Sequence, residues 1–203
     1  GHQWGCTRRG SGGGSGGGAV TRRRLNVDDY HRMAEAGIFG PEERVELIEG
    51  EIVTMPPIGP EHAGLVKQLI SVLGRAVGEL AIVDVQNPLR LSEHSEPEPD
   101  LALLRPREDF YRTAHPTPAD TLLAIEVSTS TLAFDRNVKV PLYARHGIPE
   151  LWLFDVQAAR VIVYREPDGG RYVQEAVHAP PVTLRPTMLA DVTIDLPQLF
   201  ERP

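Results

Sequence analysis

Two acidic residues occupy positions where the surrounding sequence predicts buried structure, and a lysine follows them in the chain. Asp100 opens the apolar segment 101–104, and Glu126 lies within the apolar run 121–127. An ionised carboxylate in a buried strand is costly unless it is paired or binds a metal ion. Lys139 follows Glu126 by thirteen residues and falls in the next predicted helix. These three side chains are therefore the first candidates for a functional site.

Two carboxylates from adjacent strands with a lysine nearby form a minimal set for metal-assisted phosphodiester hydrolysis. The carboxylates hold a hard cation, Mg²⁺ or Mn²⁺, which takes oxygen ligands. The metal ion polarises the phosphate and activates a water, and the lysine orients that water or offsets developing charge. The structural alternatives are that Asp100 ends a loop, that Glu126 pairs with a buried arginine such as Arg136, and that Lys139 lies on a solvated helix face.

The order of the predicted helices and strands that must position these residues indicates an α/β protein (mixed α+β). Its central mixed β-sheet is expected to be flanked by helices. The run 121–127 is too apolar to alternate, which is typical of a strand covered on both faces. Residues 61–79 carry apolar side chains at offsets of three and four, which predicts an amphipathic helix. The other predicted elements are a hairpin over 45–53 turning at Glu49-Gly50, a hairpin at 167–170, strands at 81–85, 101–104, 151–156 and 161–165, helices near 30–36, 134–146 and 196–200, and a helical turn at 41–43.

The chain divides into a short leading segment and one domain. Residues 1–18 include the run GSGGGSGGG, which cannot bury a core, and we interpret them as a tag and flexible linker. Residues 19–203 are expected to form a single domain. The chain carries a formal net charge of −7, and without Arg8 and Arg9 the remaining domain carries −9. This balance argues against a generic nucleic-acid coating protein, but not against an enzyme that binds nucleic acid through a local groove.

Several classes of protein are excluded by missing features. The longest apolar runs, 122–125 and 151–154, are far shorter than the roughly 20 residues of a membrane span. A single cysteine, Cys6, rules out a disulfide framework and a zinc site built on several thiolates. Outside the glycine-serine run, no P-loop, dinucleotide-binding glycine motif, nucleophile elbow or HExxH motif occurs. We expect a cytoplasmic protein without membrane contact.

Four stretches spread over about residues 27–165 carry a family resemblance. They are RVELIEGEIVTMPPIGPEHAGLV, EPEPDLALL, LLAIEVSTSTLAFDRNVKVPLYARHGIPELWLFD and VIVYR. In these stretches the chain resembles the Uma2 family, also called DUF820, of the PD-(D/E)XK restriction-endonuclease-like superfamily. The third stretch is the most specific. The resemblance implies a restriction-endonuclease-like core and a metal-dependent endonuclease that hydrolyses DNA phosphodiester bonds.

The resemblance also implies a role for particular residues. Asp100 matches the PD element and would be a metal ligand. Glu126 matches the acid of (D/E)XK and would be the second carboxylate ligand, with the Val127 carbonyl as the third ligand. Glu46 matches an acidic position of the family's N-terminal region and would support the metal ion, although a surface or supporting role is the alternative.

The lysine of the superfamily pattern is replaced here by Ser128. Uma2-like sequences supply that lysine from the following helix, which makes Lys139 the candidate. A regular helix over 134–146 would place Arg136, Lys139 and Tyr143 on one face, although Pro141 is expected to bend it. We expect Lys139→Ala to keep the fold and metal binding but to lower cleavage by at least about two orders of magnitude.

Two rival functions remain open at this point. The first is a catalytically inactive nuclease-like fold that serves as a binding or assembly module, which the acidic charge favours slightly. The second is a metal-dependent phosphoesterase acting on a small nucleotide, which needs a closed pocket instead of an open groove. If the protein cleaves duplex DNA, two active sites are needed, and we expect a homodimer.

Other polar and aromatic residues have simpler expected roles. The run 128–131 is expected to cap the following helix, and the acidic segment containing Glu93, Glu96 and Glu98 to be a solvated loop. His62 is left open between phosphate binding, support of the site and a position near a helix cap. Candidate phosphate-contacting residues are Arg75, Arg90, Arg105, Arg107, Arg112, Arg136 and Arg145, and Trp152, Tyr143 and Tyr164 are expected to pack in the core.

Overall fold

The computed structural model describes residues 17–200, so Cys6 and residues 1–16 of the predicted linker lie outside the described residues. The elements, in chain order, are α1 (Val27–Glu35), β1 (Arg44–Ile48), β2 (Glu51–Met55), α2 (Pro60–Val77), β3 (Ile82–Val85), β4 (Leu101–Leu104), β5 (Thr121–Ser128), α3 (Leu132–Phe134, Asp135–Lys139 and Val140–Arg145 in succession), β6 (Glu150–Asp155), β7 (Arg160–Asp168), β8 (Arg171–His178), β9 (Val182–Leu184) and β10 (Ile194–Leu196). Among residues 17–200, no helix combines the length and apolarity needed to cross a bilayer.

Six strands form one mixed sheet in the order β3-β4-β5-β6-β7-β8. β5 and β6 are parallel, and the crossover between them contains α3. All other neighbouring strands of this sheet are antiparallel. Strands β1–β2 and β9–β10 form two separate hairpin sheets. The predicted fold class, a mixed α/β protein with a central mixed sheet flanked by helices, is confirmed.

The two faces of the central sheet pack against different helices. On β5, Leu123 and Ile125 contribute to a core shared with α2. Ala124 points the other way, into a core shared with Leu142 and other residues of α3. Because side chains alternate along a strand, Glu126 lies on the α3 face. The position of its carboxylate therefore depends on how α3 crosses the sheet.

The N-terminal elements form as the local sequence predicts. Asn26 caps α1, since its side chain accepts a hydrogen bond from the N–H of Asp29 at 2.8 Å and the Asp29 carboxylate accepts one from the N–H of Asn26 at 3.2 Å. Glu49 and Gly50 turn the β1–β2 hairpin with φ angles of 50° and 79°. A Cβ at Gly50 would lie 2.5 Å from the Cβ of Arg24, so a larger residue does not fit there.

Helix α3 departs from the regular helix predicted over 134–146. Its middle segment, Asp135–Lys139, is a π-helical turn, and the N–H of Val140 bonds to the carbonyl of Asp135. The wider turn changes which side chains share a face. Tyr143 is buried as predicted, and Lys139 is buried as well, which excludes a solvated helix face for it. Arg136 is exposed and pairs instead with Glu175 on β8 at 3.1 Å. The predicted alignment of Arg136 with Lys139 is therefore wrong.

Two short predicted elements are also wrong. Residues 41–43 form a turn and not a helical turn. The predicted closing helix at 196–200 is absent; Ile194–Leu196 is strand β10, and residues 197–200 are irregular. Leu196 and Leu199 are nevertheless buried in the α2 core. The apolar pattern there identified burial correctly, but Pro197 ends the strand and removes a backbone donor.

Candidate active site

Asp100, the residue that precedes β4, and Glu126 on the neighbouring strand β5 lie side by side. Leu101 of β4 pairs with Ile125 of β5 in antiparallel register, so Asp100, one residue earlier, lies level with Glu126. The backbone N–H of Val127 donates a hydrogen bond to Oδ2 of Asp100 at 2.7 Å. This bond ties the start of β4 to β5, and both acids line one cleft on the α3 face.

Lys139 of α3 reaches the same cleft. Its Nζ lies 2.7 Å from Oε1 of Glu126 and 3.1 Å from Oε1 of Glu46, and the lysine is 1% exposed. Burial by itself would lower the pKa of Lys139. The negative charges of Glu126, Glu46 and Asp135 outweigh burial and raise that pKa above its ordinary value. The ammonium group is therefore held charged between two carboxylates.

Glu126 is the most deeply enclosed acid of the cleft. Besides Lys139, its Oε1 accepts a hydrogen bond from the hydroxyl of Tyr143 at 2.6 Å. Burial raises the pKa of Glu126 well above its ordinary value, and the charges of Asp100, Asp135 and Glu46 raise it further, while Lys139 opposes them. The alternative partner Arg136 is excluded, because that arginine pairs with Glu175 on β8.

His62, at the start of α2, supports Asp100. Its Nε2 lies 3.0 Å from Oδ1 of Asp100. Burial would raise the pKa of Asp100, but the hydrogen bond and charge of His62, together with the N–H of Val127, bring it below its ordinary value. Nδ1 of His62 is buried without a hydrogen-bond partner. Of the three roles left open for His62, support of the site is the one that this geometry favours.

Glu46 on β1 faces the lysine rather than solvent. Its Oε1 accepts a hydrogen bond from the N–H of Glu98 at 2.5 Å, and its Oε2 lies 3.3 Å from Nζ of Lys139. Burial raises the pKa of Glu98 to about 7, and the nearby charge of Glu46 contributes to that rise. The hairpin β1–β2 thus brings a third carboxylate to the site, in the position of a lysine partner.

Asp135, in the π-helical turn of α3, is a site residue that the sequence did not single out. Its Oδ2 accepts hydrogen bonds from the hydroxyls of Ser128 and Thr131, while its Oδ1 is buried without a partner. Burial raises the pKa of Asp135. Ser128 and Thr131 therefore bind this carboxylate instead of capping the helix, and the predicted capping role is wrong. An aspartate four residues before Lys139 is the only sequence signal that was available.

The acidic segment 93–98 is not the solvated loop that the sequence predicted. Glu93 is exposed, but Glu96 is 2% exposed and its Oε1 lies 2.6 Å from Nε2 of His31 on α1. Glu98 is half-buried and lines the cleft. The neighbouring residues could not show which of these glutamates is buried, because each lies beside proline or other polar residues. Their burial depends on the β1–β2 hairpin, which packs against this segment through the bridge between Leu47 and Glu96.

The cleft itself is narrow, with a volume of about 40 Å³. Since a water molecule needs roughly 10–15 Å³ of such space, the cleft can hold a water or a small ion. Residues 55–58, which begin with the last residue of β2, form one wall. The described ionisable residues that line the cleft are Glu46, Glu98, Asp100, Glu126 and Asp135 with Arg44, Lys139 and His62.

The donor set fits a hard divalent cation. Five carboxyl groups face Arg44, Lys139 and His62, and burial raises the pKa of three of them, Glu98, Glu126 and Asp135. A divalent cation would favour their ionised forms. Carboxylate and carbonyl oxygens are the ligands that Mg²⁺ and Mn²⁺ prefer. Within residues 17–200, no group of three or more His, Cys, Asp or Glu side chains is arranged as a ready metal cage. The predicted metal ligands are the carboxylates of Asp100 and Glu126 and the carbonyl of Val127. They include only two such side chains, so the prediction does not require a group of three.

The comparison with protein families decides the affiliation of the chain. A sequence model of the Uma2 family, described as "Putative restriction endonuclease", matches residues 27–197. The chain belongs to the Uma2 family. The match includes all of the site residues described above, from Glu46 to Tyr143. The family resemblance in the four sequence stretches is thereby confirmed.

A solved structure shares the fold. It is titled "Crystal structure of a putative nuclease belonging to DUF820 from Anabaena variabilis ATCC 29413 at 1.96 A resolution", and it matches with a TM-score of 0.66 and 21% sequence identity. The alignment covers 87% of the Uma2 chain described here and 97% of that chain. At this identity the likeness establishes the fold. No curated protein matches the chain.

Proposed function

We propose that this Uma2 protein is a Mg²⁺- or Mn²⁺-dependent endonuclease of the PD-(D/E)XK type that hydrolyses DNA phosphodiester bonds. The position of Lys139 carries the proposal. Its Nζ lies 2.7 Å from Oε1 of Glu126 on β5. β5 neighbours β4, the strand that begins after Asp100. A structural ion pair needs one acid and one base. Here a buried lysine, two strand-borne acids and a supporting histidine converge on one cleft.

Asp100 and Glu126 would hold the metal ion, with the Val127 carbonyl as a third ligand and Glu46 as a supporting acid. The bound cation would polarise the scissile phosphate and lower the pKa of a water. His62 fixes one oxygen of Asp100, and the N–H of Val127 fixes the other. Tyr143 fixes Oε1 of Glu126 in the same way. These bonds hold both carboxylates in place before any ligand arrives, which is the condition for strong electrostatic catalysis.

Lys139 would orient the attacking water or offset negative charge as it develops on the phosphate. It is held charged by Glu126 and Glu46, so it needs no proton uptake before acting. Ser128 cannot take this role, because its hydroxyl is neutral, short and already donated to Asp135. The duplex substrate and a homodimer that brings two sites to it remain part of this proposal.

The test is Mg²⁺-dependent nicking of supercoiled plasmid DNA by the wild type, Lys139→Ala and Glu126→Ala. We expect Lys139→Ala to lower the rate by at least about two orders of magnitude, the scale of losing one electrostatic stabiliser. Glu126→Ala is expected to lose both cleavage and the metal binding measured by calorimetry. Glu93→Ala, which removes an exposed carboxylate from the same chain, is the matched control and keeps full activity.

Two results would contradict the proposal. Full activity in Lys139→Ala would remove the lysine from the mechanism. A wild type without metal affinity and without activity on plasmid, single-stranded or linear DNA would favour the rival function, an inactive nuclease-like fold acting as a binding or assembly module.

A further inference from the structure

The two oxygens of the Asp135 carboxylate have different surroundings in the cleft. Oδ2 accepts hydrogen bonds from the hydroxyls of Ser128 and Thr131, which fix the orientation of the group. Oδ1 is buried, and within residues 17–200 it accepts no hydrogen bond. Asp135 is 2% exposed and lines the cleft together with Lys139. Because a buried acceptor without a donor is costly, Oδ1 is suited to bind a small polar molecule that enters the cleft.

Lys139 offers the matching donor. Its ammonium group has three N–H bonds. Nζ lies 2.7 Å from Oε1 of Glu126 and 3.1 Å from Oε1 of Glu46, so two acids account for two of these bonds. In the part of the chain that the structure describes, Asp135 forms no ion pair with Lys139, yet its charge contributes to the raised pKa of the lysine. One bridging water suits such a separation, and the cleft of about 40 Å³ has room for it.

We propose that Asp135 and Lys139 hold the attacking water between them, and that Oδ1 of Asp135 is the general base that takes its proton. The inference rests on the proposed function and adds a catalytic residue to it. Lys139 donates a hydrogen bond to the water oxygen, while Oδ1 accepts one of the water hydrogens. A general base must lie within hydrogen-bond reach of the proton that it takes, and the bridging position meets this condition.

The step balances with solvent water as the only further reactant. The oxygen of the held water forms a bond to phosphorus, and the bond between phosphorus and the leaving ester oxygen breaks. One proton of the held water passes to Oδ1 of Asp135. The leaving oxygen keeps the electron pair of the broken bond and takes a proton from solvent water. Asp135 then gives its proton to the hydroxide that remains.

Three other acids of the cleft have different roles. Asp100 and Glu126 are the proposed metal ligands, so their lone pairs are directed to the cation. Both oxygens of Glu46 lie close to Nζ of Lys139, at 3.1 and 3.3 Å. Burial raises the pKa of Asp135, Lys139 opposes this rise, and the charge of Asp100 adds to it. A carboxylate with a raised pKa is a stronger base, which favours Asp135 for proton uptake.

Glu98 is the rival base, because it also lines the cleft and its pKa is about 7. Its relation to the lysine is weaker. Lys139 has the largest effect of any charged group on the pKa of Asp135, whereas Glu46 and Arg44 affect the pKa of Glu98 more than Lys139 does. A water bound by Lys139 is therefore expected closer to Asp135 than to Glu98.

The first test does not depend on activity. A high-resolution crystal structure of the wild type is expected to show one water within about 3.2 Å of both Oδ1 of Asp135 and Nζ of Lys139. Direct contact between the two side chains, or no water at this position, would overturn the proposal.

The second test compares Asp135→Asn with the wild type in Mg²⁺-dependent plasmid nicking at a series of pH values. Asparagine keeps the size of the side chain and an oxygen for the two hydroxyls, but it does not take up the proton of a water. We expect kcat to fall by about 10²–10⁴-fold, the usual contribution of a general base. The remaining rate is expected to rise in proportion to hydroxide concentration, because hydroxide needs no base, whereas the wild-type rate levels off at high pH. Asp135→Asn is expected still to bind Mg²⁺ in calorimetry, unlike Glu126→Ala.

Two further variants locate the effect. Asp155→Asn makes the same exchange at a buried acid that does not line the cleft and pairs with Arg160, so it is expected to keep the rate and the pH profile of the wild type. Glu98→Gln removes the rival base and is expected to keep the levelling of the rate at high pH. Far-UV circular dichroism of each variant checks that the fold is retained.

Three kinetic results would overturn the proposal while the wild type is active. They are a kcat of Asp135→Asn within about tenfold of the wild type, a lower kcat with an unchanged pH profile, and a hydroxide-dependent rate in Glu98→Gln instead. The second of these results would assign Asp135 a structural role. A wild type that neither binds Mg²⁺ nor nicks DNA would contradict the proposed function itself, and the base assignment would fall with it.

Discussion

Under the proposed PD-(D/E)XK assignment, Ser128 and Lys139 together account for the missing lysine of the motif. Ser128 lies two residues after Glu126 on β5, so both side chains point to the α3 face. A lysine at that position would extend into the cleft from the strand. The short serine leaves that space to Lys139, which enters it from α3, and the serine hydroxyl binds Asp135 instead. Under the same assignment, the cation enters the cleft from α3 instead of from β5.

The burial of Lys139 adds a consequence that the sequence did not indicate. We expect Lys139→Ala to lower the free energy of unfolding by about 3–5 kcal/mol, because removal of one partner leaves Glu46 and Glu126 as uncompensated buried acids. Urea denaturation followed by circular dichroism measures this loss. Lys67→Ala removes an exposed lysine from α2 and is the matched control, with an expected change within about 0.5 kcal/mol. Equal stability of the two variants would show that the ion pairs of Lys139 contribute nothing to the free energy of unfolding.

Tyr143 is predicted to stabilise the site through its hydroxyl. In Tyr143→Phe, Glu126 loses a hydrogen bond of 2.6 Å, and we expect the free energy of unfolding to fall by about 1.5–3 kcal/mol. Tyr172→Phe is the control, because the Tyr172 hydroxyl donates to the neutral carbonyl of Ile148 at 2.8 Å. Its expected loss is about 0.5–1.5 kcal/mol. A larger loss in Tyr172→Phe, measured in the same urea experiment, would contradict the special strength assigned to the bond with Glu126.

Glu98 gives stability a defined pH dependence in metal-free buffer. Its pKa is about 7 in the folded protein against an ordinary 4.5, so the folded state holds the proton more tightly than the unfolded state does. Stability is therefore lost as pH rises from 4.5 to 7. We expect Glu98→Gln to be about 1 kcal/mol more stable than the wild type at pH 8, after allowance for solvent screening, and no more stable at pH 4. Glu93→Gln should show no such window in thermal unfolding with EDTA present.

At the scale of elements, the π-helical turn determines which side chains of α3 enter the site. Deleting Asn137, an exposed residue of that turn, is expected to restore a regular α-helix and to rotate Asp135 by about 100° relative to Lys139. Either residue then leaves the cleft, and nicking activity is expected to fall by at least about two orders of magnitude while helical circular dichroism is retained. Asn137→Ala keeps the chain length and is the control with normal activity. An active deletion variant would show that the wide turn is not needed.

The sequence predicted the elements that have a strong local signal and missed those that depend on distant contacts. Helix α2 follows from the spacing of Leu65, Leu69 and Leu73, and β5 follows from its apolar run. The two strand-borne acids stood out because their neighbours are apolar. Asp135 and Glu98 did not, because their burial is produced by the π-helical turn and by the β1–β2 hairpin. No local pattern encodes a contact between residues 46 and 139, which are far apart in the chain.

At the scale of the whole molecule, the excess of buried acid predicts that divalent cations stabilise the fold. A ligand that binds only the folded state at 100 times its Kd adds about 2.7 kcal/mol. We expect Mg²⁺ and Mn²⁺ to raise the Tm of the wild type in differential scanning calorimetry. Asp100→Asn is expected to abolish most of that rise, while Asp155→Asn, which alters an acid paired with Arg160 instead, keeps it. An identical rise in both variants would point to binding elsewhere.

The wall of the cleft has a consequence for access to the site. Residues 55–58 line one side of the cleft that holds Lys139. That segment contains Pro56 and Pro57, which restrict how its backbone can rearrange. Under the proposed function, this stiff wall limits the directions from which a phosphodiester can approach Lys139.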